Sequence, residues 1–260
     1  MFHTFVANIY AMKFIGIIPA RYASTRFPGK PLADIKGKPM IQRVYEQASK
    51  VLPVVYVATD DERIFNAVRA FRGNVVMTST DHKSGTDRCA EAVRKAEAER
   101  EEMYDVVVNI QGDEPFIVPD MLLKVMSCFN DGQTDIATLV KPFGADEDIF
   151  NPNSPKVVVS NSNFALYFSR SVVPFLRGVD KKDWQKSHTF LKHIGLYAYR
   201  TKVLHQLTQL DQGVLEEAES LEQLRWLENG FRIKVERTEH QSYGIDTPED
   251  LEKVLQMDLL

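Results

Sequence analysis

The chain has 260 residues, of which 44% are hydrophobic and 26% are charged, a composition typical of a globular protein with one large domain or two small ones. Its formal net charge of −4 disfavours general nucleic-acid binders and proteins that bind anionic membranes, because both are normally basic. The two cysteines, Cys89 and Cys128, lack metal-type spacing, exclude a disulfide framework and fit a reducing cytoplasm.

The sequence contains no predicted membrane span or signal peptide. No apolar run approaches the roughly 20 residues that a membrane-spanning helix needs. Residues 1–11 lack the basic start and the long apolar core of a signal peptide. We expect them to be an N-terminal extension before a single domain that covers residues 12–260.

Strands and helices alternate through the first half of the chain. Apolar runs predict strands, and apolar residues at helical spacing predict helices. The predicted strands are Phe14–Pro19, Val54–Ala58, Asn74–Met77, Val106–Ile110 and Ile136–Val140, and the predicted helices are Pro39–Ser49, a segment after Asp61, Thr86–Met103 and Pro119–Phe129. This alternation predicts an α/β fold with a mostly parallel, doubly wound sheet.

The pattern changes over residues 142–192, which we expect to be a small antiparallel insertion on the main sheet. Turn residues at 151–155 precede two short apolar runs, Val157–Ser160 and Phe164–Phe168, which predict a hairpin. The segment is too short for a core of its own. Three aromatic residues would make the hairpin an exposed surface suited to dimer formation, namely Phe164, Tyr167 and Phe168.

The remainder of the chain returns to the alternating pattern. The predicted elements are strands at His193–Tyr199 and Ile233–Glu236, helices at Thr201–Leu210 and Glu217–Glu228, and a last helix that begins at Pro248. Thr247 and Asp250 have the spacing of a capping box at the start of that last helix.

A cationic loop with Arg21, Arg26 and Lys30 follows the first strand. Ligands bind at the carboxyl ends of the strands in open α/β sheets, so these cations favour a small polyanion as ligand. The alternative is a solvated basic loop, because arginines are usually exposed. The sequence lacks the glycine motifs of dinucleotide-binding folds and of P-loop enzymes, which weakens a dehydrogenase or ATPase interpretation.

Two aspartates could bind a metal ion. Asp113 directly follows the most apolar strand, and Mg²⁺ prefers one or two carboxylates together with phosphate oxygens and water. Asp246 precedes the last helix. Each aspartate could instead have a structural role. Asp113 could stabilise a turn or cap a helix, and Asp246 could cap the last helix beside Thr247.

The segment Asp81–Arg88 offers polar groups just before a helix. Ser84 and Gly85 could hydrogen-bond a nucleobase edge, or Ser84 could cap the helix, and the spacing alone favours the cap.

These segments, read in order, resemble the CMP-Kdo synthetases (3-deoxy-manno-octulosonate cytidylyltransferases). The motifs that carry the resemblance are Ile-Pro-Ala-Arg-Tyr-Ala-Ser-Thr-Arg-Phe-Pro-Gly-Lys-Pro-Leu, Asp-His-Lys-Ser-Gly-Thr-Asp-Arg, Gln-Gly-Asp-Glu-Pro, Phe-Asn-Pro, Ala-Leu-Tyr-Phe-Ser-Arg, His-Ile-Gly-Leu-Tyr-Ala-Tyr-Arg, Leu-Glu-Gln-Leu-Arg and Gly-Ile-Asp-Thr-Pro-Glu-Asp. They cover Met12 to Leu255, although residues 178–187 match poorly and Phe27 stands where the family frequently has Leu. The ordered set is far more specific than any single motif.

The resemblance implies a nucleotide-diphospho-sugar-transferase-like fold and a cytidylyltransferase reaction, in which CTP and Kdo give CMP-Kdo and diphosphate. It also implies Mg²⁺ as cofactor, a cytoplasmic homodimer and a role in lipopolysaccharide biosynthesis. Nucleic acid and membrane are not expected partners.

Carried over by position, the resemblance assigns three groups of residues. The nucleotide would be bound by Ala20, Arg21, Lys30, His82, Ser84 and Gly85. The metal would be bound by Asp113 and Asp246, which with Arg21 and Lys30 form the expected catalytic set. The sugar would be bound by Arg26, Gln111, Arg170, His193, Tyr197, Glu222 and Gln223. Arg170 suits the sugar carboxylate, because a guanidinium can bind a carboxylate through two parallel hydrogen bonds.

Three alternatives remain open at this point. A CMP-sialate synthetase would share the cationic loop and differ in the sugar pocket. A glycosyltransferase that uses nucleotide sugars would carry Asp-x-Asp after the central strand, where this chain has Gly112-Asp113-Glu114. A regulatory protein that only binds CTP would release no diphosphate.

Overall fold

The computed structural model describes residues 12–240 and 244–256, so the expectation about residues 1–11 lies outside the described residues. The strands are β1 (Phe14–Ala20), β2 (Asp34–Ile35), β3 (Lys38–Pro39), β4 (Val55–Thr59), β5 (Asn74–Met77), β6 (Val106–Asn109), β7 (Ile136–Pro142), β8 (Lys156–Val159), β9 (Ala165–Ser169), β10 (Leu191–Arg200) and β11 (Ile233–Arg237). The helices are α1 (Met40–Ser49), α2 (Glu62–Ala70), α3 (Gly85–Arg100), α4 (Pro119–Ser127), α5 (Trp184–Ser187), α6 (Thr201–Leu207), α7 (Val214–Glu219), α8 (Glu222–Glu228) and α9 (Pro248–Leu255).

The main sheet has the strand order β11-β7-β10-β6-β1-β4-β5. β6, β1, β4 and β5 run parallel, and β11 runs parallel to β7. β10 lies antiparallel to both β6 and β7, and β8 joins the sheet by pairing with β10 and β9. The prediction of a mostly parallel, doubly wound α/β sheet with a small antiparallel insertion is confirmed.

The sheet separates two apolar layers. Alternate residues of β1 point to opposite faces: Ile15 and Ile17 pack with α3, whereas Phe14 and Ile18 pack with α1 and α4. A strand buried on both faces is apolar at nearly every position, which is why the sequence predicted these strands well. Each fully buried isoleucine contributes roughly 1.5–3 kcal/mol to folding through removal of its surface from water.

The antiparallel hairpin is present as β8 and β9, but its aromatic residues are not exposed as expected. Phe168 is fully buried and Phe164 is 8% exposed, because β8 pairs with β10 and Phe164 packs beside Arg232 of the chain segment before β11. The exposed apolar residue of the hairpin is Leu166 instead, at 60% exposure.

The predicted helix Glu217–Glu228 is wrong as a single element. The chain forms α7 and α8 with a break at Ser220, which has a left-handed φ of 50°. The Arg170 guanidinium donates to the backbone carbonyls of Glu219 and Ser220, and the Glu219 carboxylate accepts hydrogen bonds from Ser169 and from the Arg170 backbone. These tertiary hydrogen bonds satisfy the carbonyls that a continuous helix would have used.

The remaining predictions concern capping, thiols and membrane spans. Thr247 and Asp250 form the predicted capping box at the start of α9. Cys89 and Cys128 are buried free thiols, and burial raises the pKa of Cys128 to about 12. Among residues 12–240 and 244–256, no helix has the length and apolar character to cross a bilayer.

Candidate active site

The carboxyl ends of β1 and β6 bring two loops into contact, the cationic loop after β1 and the loop 110–115 after β6. β1 and β6 are parallel neighbours, so both loops leave the same edge of the sheet. A side chain at Gly112 would place its Cβ 2.8 Å from the carbonyl oxygen of Pro19. Only glycine permits this close approach, which sets Asp113 against the cationic loop.

The cationic loop folds back on itself through Gly29. Gly29 has a φ of 72°, its N–H donates to the Tyr22 carbonyl at 2.9 Å, and a Cβ there would lie 3.1 Å from the Tyr22 ring. The loop therefore requires glycine at this position. Lys30 follows directly and begins a short 3₁₀ turn at the edge of the sheet.

Lys30 lies between two carboxylates that are far apart in sequence. Its Nζ is 2.6 Å from Asp113 Oδ2 and 3.2 Å from Asp246 Oδ1, and Arg26 Nη2 is 3.1 Å from Asp246 Oδ2. The Lys30 side chain is 14% exposed, so its ion pairs are screened less than surface pairs. We call Arg26, Lys30, Asp113 and Asp246 the charged junction.

The charged junction has a donor set that fits Mg²⁺. Asp113 and Asp246 already place carboxylate oxygens around a single cationic atom, the Lys30 ammonium nitrogen. Within residues 12–240 and 244–256, no three His, Cys, Asp or Glu side chains converge as metal ligands. Mg²⁺ is usually held by one or two carboxylates and completed by substrate phosphates and water, so the two aspartates could serve as its protein ligands.

Three of the predicted nucleotide-binding residues, His82, Ser84 and Gly85, lie at the start of α3, next to the end of β1. The Arg21 guanidinium donates to the His82 carbonyl, and the His82 ring pairs with Glu91. Ser84 Oγ accepts the Asp87 N–H at 3.1 Å while Asp87 accepts the Ser84 N–H at 3.1 Å, so the capping interpretation of Ser84 is confirmed. The two small residues of this set are Ala20, which ends β1, and Gly85, whose Cβ position lies 3.7 Å from Pro19.

His193 and Tyr197 stand on β10 on either side of an irregularity in its pairing with β7. The His193 ring packs edge-on against Phe168, with ring centres 5.3 Å apart, and lies 5.2 Å from the Tyr197 ring. Burial lowers the pKa of His193 to about 4, so the ring is neutral at pH 7. Gln111 reaches the same strand, since its Nε2 donates to the Gly195 carbonyl at 3.4 Å.

Helix α8 carries Glu222 and Gln223 to this strand and to the start of α3. Thr86 Oγ1 donates to Glu222 Oε2 at 3.1 Å, and burial raises the pKa of Glu222. Gln223 is 5% exposed, and Trp226, one turn further on, lies 5.1 Å from the Tyr197 ring. In the part of the chain that the structure describes, Gln223 Nε2 and Tyr197 Oη are buried without hydrogen-bond partners.

Arg170 differs from the other predicted sugar-binding residues. Its Nε donates to the Glu219 carbonyl, its Nη1 to the Pro152 carbonyl at 2.9 Å and its Nη2 to the Ser220 carbonyl at 3.1 Å. The guanidinium therefore ties the 142–192 segment to the break before α8. Its guanidinium nitrogens donate to backbone carbonyls, two of which lie just before Glu222 in the sequence. Arg170 is therefore placed to position Glu222 and Gln223.

A cleft of about 700 Å³ lies beside two predicted nucleotide-binding residues and one predicted sugar-binding residue. It lies against the start of α3 and the loop 208–212, and its lining includes His82, Ser84 and Glu222. This cleft is the space beside the α3 cap that is large enough for a small polar ligand.

Two polar residues of this region were missed in the sequence, Asn109 and Thr138. Asn109 is 4% exposed with Oδ1 unpaired among the described residues, and Thr138 is fully buried against His193. Each interrupts an otherwise apolar strand. A single polar residue in a buried strand was the available signal, because such a group needs a partner.

Comparisons with known proteins show the family to which the chain belongs. The family model described as "Cytidylyltransferase" matches residues 15–238. A 3-deoxy-manno-octulosonate cytidylyltransferase from Parabacteroides distasonis is 66% identical over 248 residues, which are 94% of this chain and 97% of that protein. The chain belongs to the 3-deoxy-manno-octulosonate cytidylyltransferase family. The enzyme of the same name from Bacteroides thetaiotaomicron is 64% identical, over 92% of this chain and 96% of that protein.

Solved structures give the same family and the wider fold. A structure described as CMP:2-keto-3-deoxy-manno-octonic acid synthetase complexed with CTP superimposes with a TM-score of 0.84 at 45% identity, covering 94% of this chain and 97% of that one. A putative glucose-1-phosphate thymidylyltransferase from Bacillus anthracis has a TM-score of 0.61 at 15% identity, over 93% of this chain and 94% of the other. The second likeness shows the fold alone, which is that of the nucleotidyltransferases.

Proposed function

We propose that this protein transfers the cytidylyl group of CTP to Kdo and releases diphosphate, with Mg²⁺ as its cofactor. The observation that carries the proposal is the charged junction, in which Lys30, Asp113 and Asp246 meet at the carboxyl end of β1. The CTP named for the related structure and the Kdo named for the close relatives supply the substrates of the proposal. The product would serve lipopolysaccharide biosynthesis.

The cationic side chains beside β1 would bind the triphosphate. Lys30 is paired with carboxylates in the free protein, and its flexible side chain can turn from them to a phosphate oxygen. Arg21 lies on the same loop, next to the His82 carbonyl. Ala20 ends β1, and Ser84 and Gly85 stand at the start of α3, where the cytosine ring would lie.

Asp113 and Asp246 would hold Mg²⁺ once Lys30 has turned away. When bound there, Mg²⁺ would stabilise the negative charge that builds up on the phosphoryl oxygens. The reaction itself is attack of the sugar's anomeric hydroxyl on the α-phosphorus, with diphosphate as the leaving group. Lys30, once turned to the phosphates, and Arg21 would offset the remaining charge, and such electrostatic stabilisation is the main way that proteins accelerate phosphoryl transfer.

The buried polar atoms around β10 would bind the sugar. Tyr197 Oη and Gln223 Nε2 are buried without partners in residues 12–240 and 244–256. Leaving such a group unpaired costs about 1–3 kcal/mol, and the hydroxyls of a sugar would remove that cost. Gln111 contacts β10 at the Gly195 carbonyl, His193 lies beside Tyr197, and Glu222 lies next to Gln223 on α8. Arg26, paired with Asp246, and Arg170 would complete the set of residues proposed for the sugar.

The homodimer and the cytoplasmic location belong to the same proposal. The segment 142–192 carries apolar side chains that are unusually exposed, namely Phe150 at 45%, Leu166 at 60% and Phe175 at 71%. Exposed apolar residues of this kind are typical of protein interfaces. The two free buried thiols suit a reducing compartment.

One assay tests the proposed function against its competitors. Diphosphate release should require CTP, Mg²⁺ and Kdo together, and it should fall strongly when a sialic acid replaces Kdo or another nucleotide replaces CTP. Preference for a sialic acid would indicate a CMP-sialate synthetase. Binding of CTP with no Kdo-dependent diphosphate release would indicate a regulatory protein instead.

A further inference from the structure

Thr138 of β7 lies at the centre of the sugar-binding region without belonging to any predicted site. It is fully buried. Opposite it, β10 has a bulge. His193 pairs with Val140 and Tyr197 pairs with Thr138, so an advance of four residues along β10 matches an advance of two residues along β7. His193 and Tyr197 lie on either side of this irregularity, with their rings 5.2 Å apart.

The Thr138 hydroxyl connects three groups of that bulge. Its Oγ1 lies 2.9 Å from the Leu196 carbonyl oxygen, 3.1 Å from the Ile194 carbonyl oxygen and 3.0 Å from His193 Nε2. All three distances are in the range of good hydrogen bonds. Between these carbonyls, Gly195 presents its own carbonyl to Gln111. One hydroxyl therefore holds the backbone that carries His193, Gly195 and Tyr197.

The proton count at this hydroxyl determines which His193 nitrogen carries a hydrogen. A threonine hydroxyl has one proton to donate, and both backbone carbonyls can only accept. The Thr138 proton must therefore go to Leu196 or Ile194, because otherwise both buried carbonyls would face an oxygen lone pair. His193 Nε2 is then left to donate its hydrogen to Oγ1.

The other ring nitrogen is consequently an acceptor. Burial keeps the ring neutral at pH 7, since it lowers the His193 pKa to about 4. A neutral ring with a hydrogen on Nε2 has a lone pair on Nδ1. In the part of the chain that the structure describes, Nδ1 has no hydrogen-bond partner, and the ring packs between Phe168 and Tyr197.

We propose that Thr138 is a positioning residue of the sugar site, whose hydroxyl fixes His193 as the Nε2–H tautomer so that Nδ1 accepts a hydrogen bond from a sugar hydroxyl. The inference rests on the proposed function, because it assumes that a sugar binds beside His193. It also assigns the chemistry of the contact. A neutral acceptor repels the sugar carboxylate, which has only lone pairs to offer, and attracts a hydroxyl donor.

The tautomer is measured directly in the free wild-type protein. Nitrogen-15 NMR of the histidine rings distinguishes protonated from unprotonated nitrogens, and a His193→Gln sample identifies the His193 signals. We expect Nε2 protonated and Nδ1 unprotonated at pH 7. A hydrogen on Nδ1, or on both nitrogens, would overturn the proposal. This measurement uses no substrate, so it stands apart from any failure of the proposed reaction.

Kinetics of threonine variants give the second test. Thr138→Val should raise the KM for Kdo about tenfold, as expected for loss of one hydrogen bond, and leave the KM for CTP within about twofold. Thr138→Ser keeps the hydroxyl and should restore the KM for Kdo to within about threefold of wild type. In Thr138→Val the NMR signals should show a second His193 tautomer.

A matched control separates this role from the general cost of the substitution. Thr134 is also fully buried, and its hydroxyl donates to the Cys128 carbonyl at 2.8 Å, away from His193. Thr134→Val should lower stability and leave both KM values unchanged. An unchanged KM for Kdo in Thr138→Val, or an equal rise for Kdo and CTP, would contradict the proposal. If Thr138→Val does not fold, the wild-type tautomer and Thr138→Ser decide the question.

Discussion

The two sides of the site are built in opposite ways. The charged junction is partly exposed, with Asp246 at 48%, and each of its charges already has an opposite partner. The residues around β10 that would bind the sugar are mostly buried. They include Tyr197 and Gln223, whose polar atoms have no partner among residues 12–240 and 244–256. We call His193, Tyr197, Glu222 and Gln223 the polar wall.

The difference indicates how each side would respond to ligands. In the charged junction each charge already has an opposite partner, so an ionic ligand would exchange one ion pair for another. In the polar wall a ligand would supply hydrogen bonds to buried polar atoms that have no partner among the described residues. Keeping these atoms buried and unpaired lowers the stability of the protein without ligand. Substitutions in the junction should therefore change turnover, and substitutions in the wall should change stability and sugar binding together.

The largest expected effect comes from Asp113→Ala in the charged junction. Turnover should fall by roughly 10²- to 10³-fold at saturating Mg²⁺, the range seen when one electrostatic stabiliser of a transition state is removed. The melting temperature should drop by no more than about 4 °C, because Asp113 is 31% exposed and Lys30 keeps its ion pair with Asp246. Steady-state diphosphate release and a thermal melt measure the two quantities.

Asp120→Ala is the matched control for Asp113→Ala. Asp120 is a surface carboxylate on α4, 49% exposed and paired with Lys124 at 3.2 Å. Its replacement should leave turnover within about twofold of wild type, as is usual for a surface pair. Near wild-type turnover in Asp113→Ala would remove Asp113 from the reaction.

The second prediction tests the polar wall through the pH dependence of stability. The His193 pKa is lowered from 6.5 to about 4 by burial. Below pH 6.5 His193 binds a proton in the unfolded chain but stays neutral in the folded chain. The free energy of unfolding therefore decreases as the pH falls from 6.5 toward 4. We expect His193 to account for about 3 kcal/mol of that loss, because each pKa unit corresponds to about 1.4 kcal/mol.

The measurement is urea unfolding across this pH range for wild type and His193→Gln. The variant should be less stable at neutral pH, and its stability should fall less steeply below pH 6.5. Parallel curves for the two proteins would mean that His193 titrates in the folded state as it does in the unfolded chain.

The third prediction concerns the connection between the 142–192 segment and the polar wall. Arg170→Ala should weaken Kdo binding about tenfold and CTP binding less, because the carbonyls of Glu219 and Ser220 that it holds lie just before Glu222. Arg170→Lys keeps the charge and loses the fork of donors. If Arg170→Lys binds Kdo like wild type, the main role of Arg170 is to attract the sugar carboxylate with its positive charge. If Arg170→Lys binds Kdo as weakly as Arg170→Ala, its main role is to hold the backbone before Glu222. Equal loss of Kdo and CTP binding would contradict both roles.

The smallest expected effect comes from Tyr197→Phe. The variant removes a buried hydroxyl without a partner in the described residues, so the free protein should be unchanged or more stable by up to about 1 kcal/mol, while the KM for Kdo rises severalfold. Tyr45→Phe is the contrasting control. The Tyr45 hydroxyl accepts the Asn74 N–H at 3.1 Å, so its loss should destabilise the protein and leave both KM values unchanged.

The sequence predicted the elements that depend on local pattern. β5 was predicted with its observed bounds, and β1 within one residue, because apolar runs and strand breakers act locally. The meeting of Lys30, Asp113 and Asp246 was anticipated from the family resemblance, which assigns all three residues to the expected catalytic set.

The features that the sequence did not predict depend on tertiary contacts. Ser220 breaks a helix because Arg170, distant in sequence, binds its carbonyl and that of Glu219. The bulge opposite Thr138 is invisible in a run of apolar and aromatic residues, and burial of Phe168 requires knowing that β8 pairs with β10. Periodicity describes one segment at a time and carries no information on such pairings.

The position of Asp246 has a consequence for synthesis of the protein on the ribosome. Asp246 reaches Lys30 only after Ile245 has docked into the apolar cluster that contains Ile35 and Met40, where its N–H donates to the Asp113 carbonyl at 3.0 Å. A nascent chain can complete β1, β6 and the cationic loop and still lack its second carboxylate. The charged junction is therefore assembled only after residue 246 has left the exit tunnel, and a chain that stops before it would lack one of the two carboxylates proposed to bind Mg²⁺.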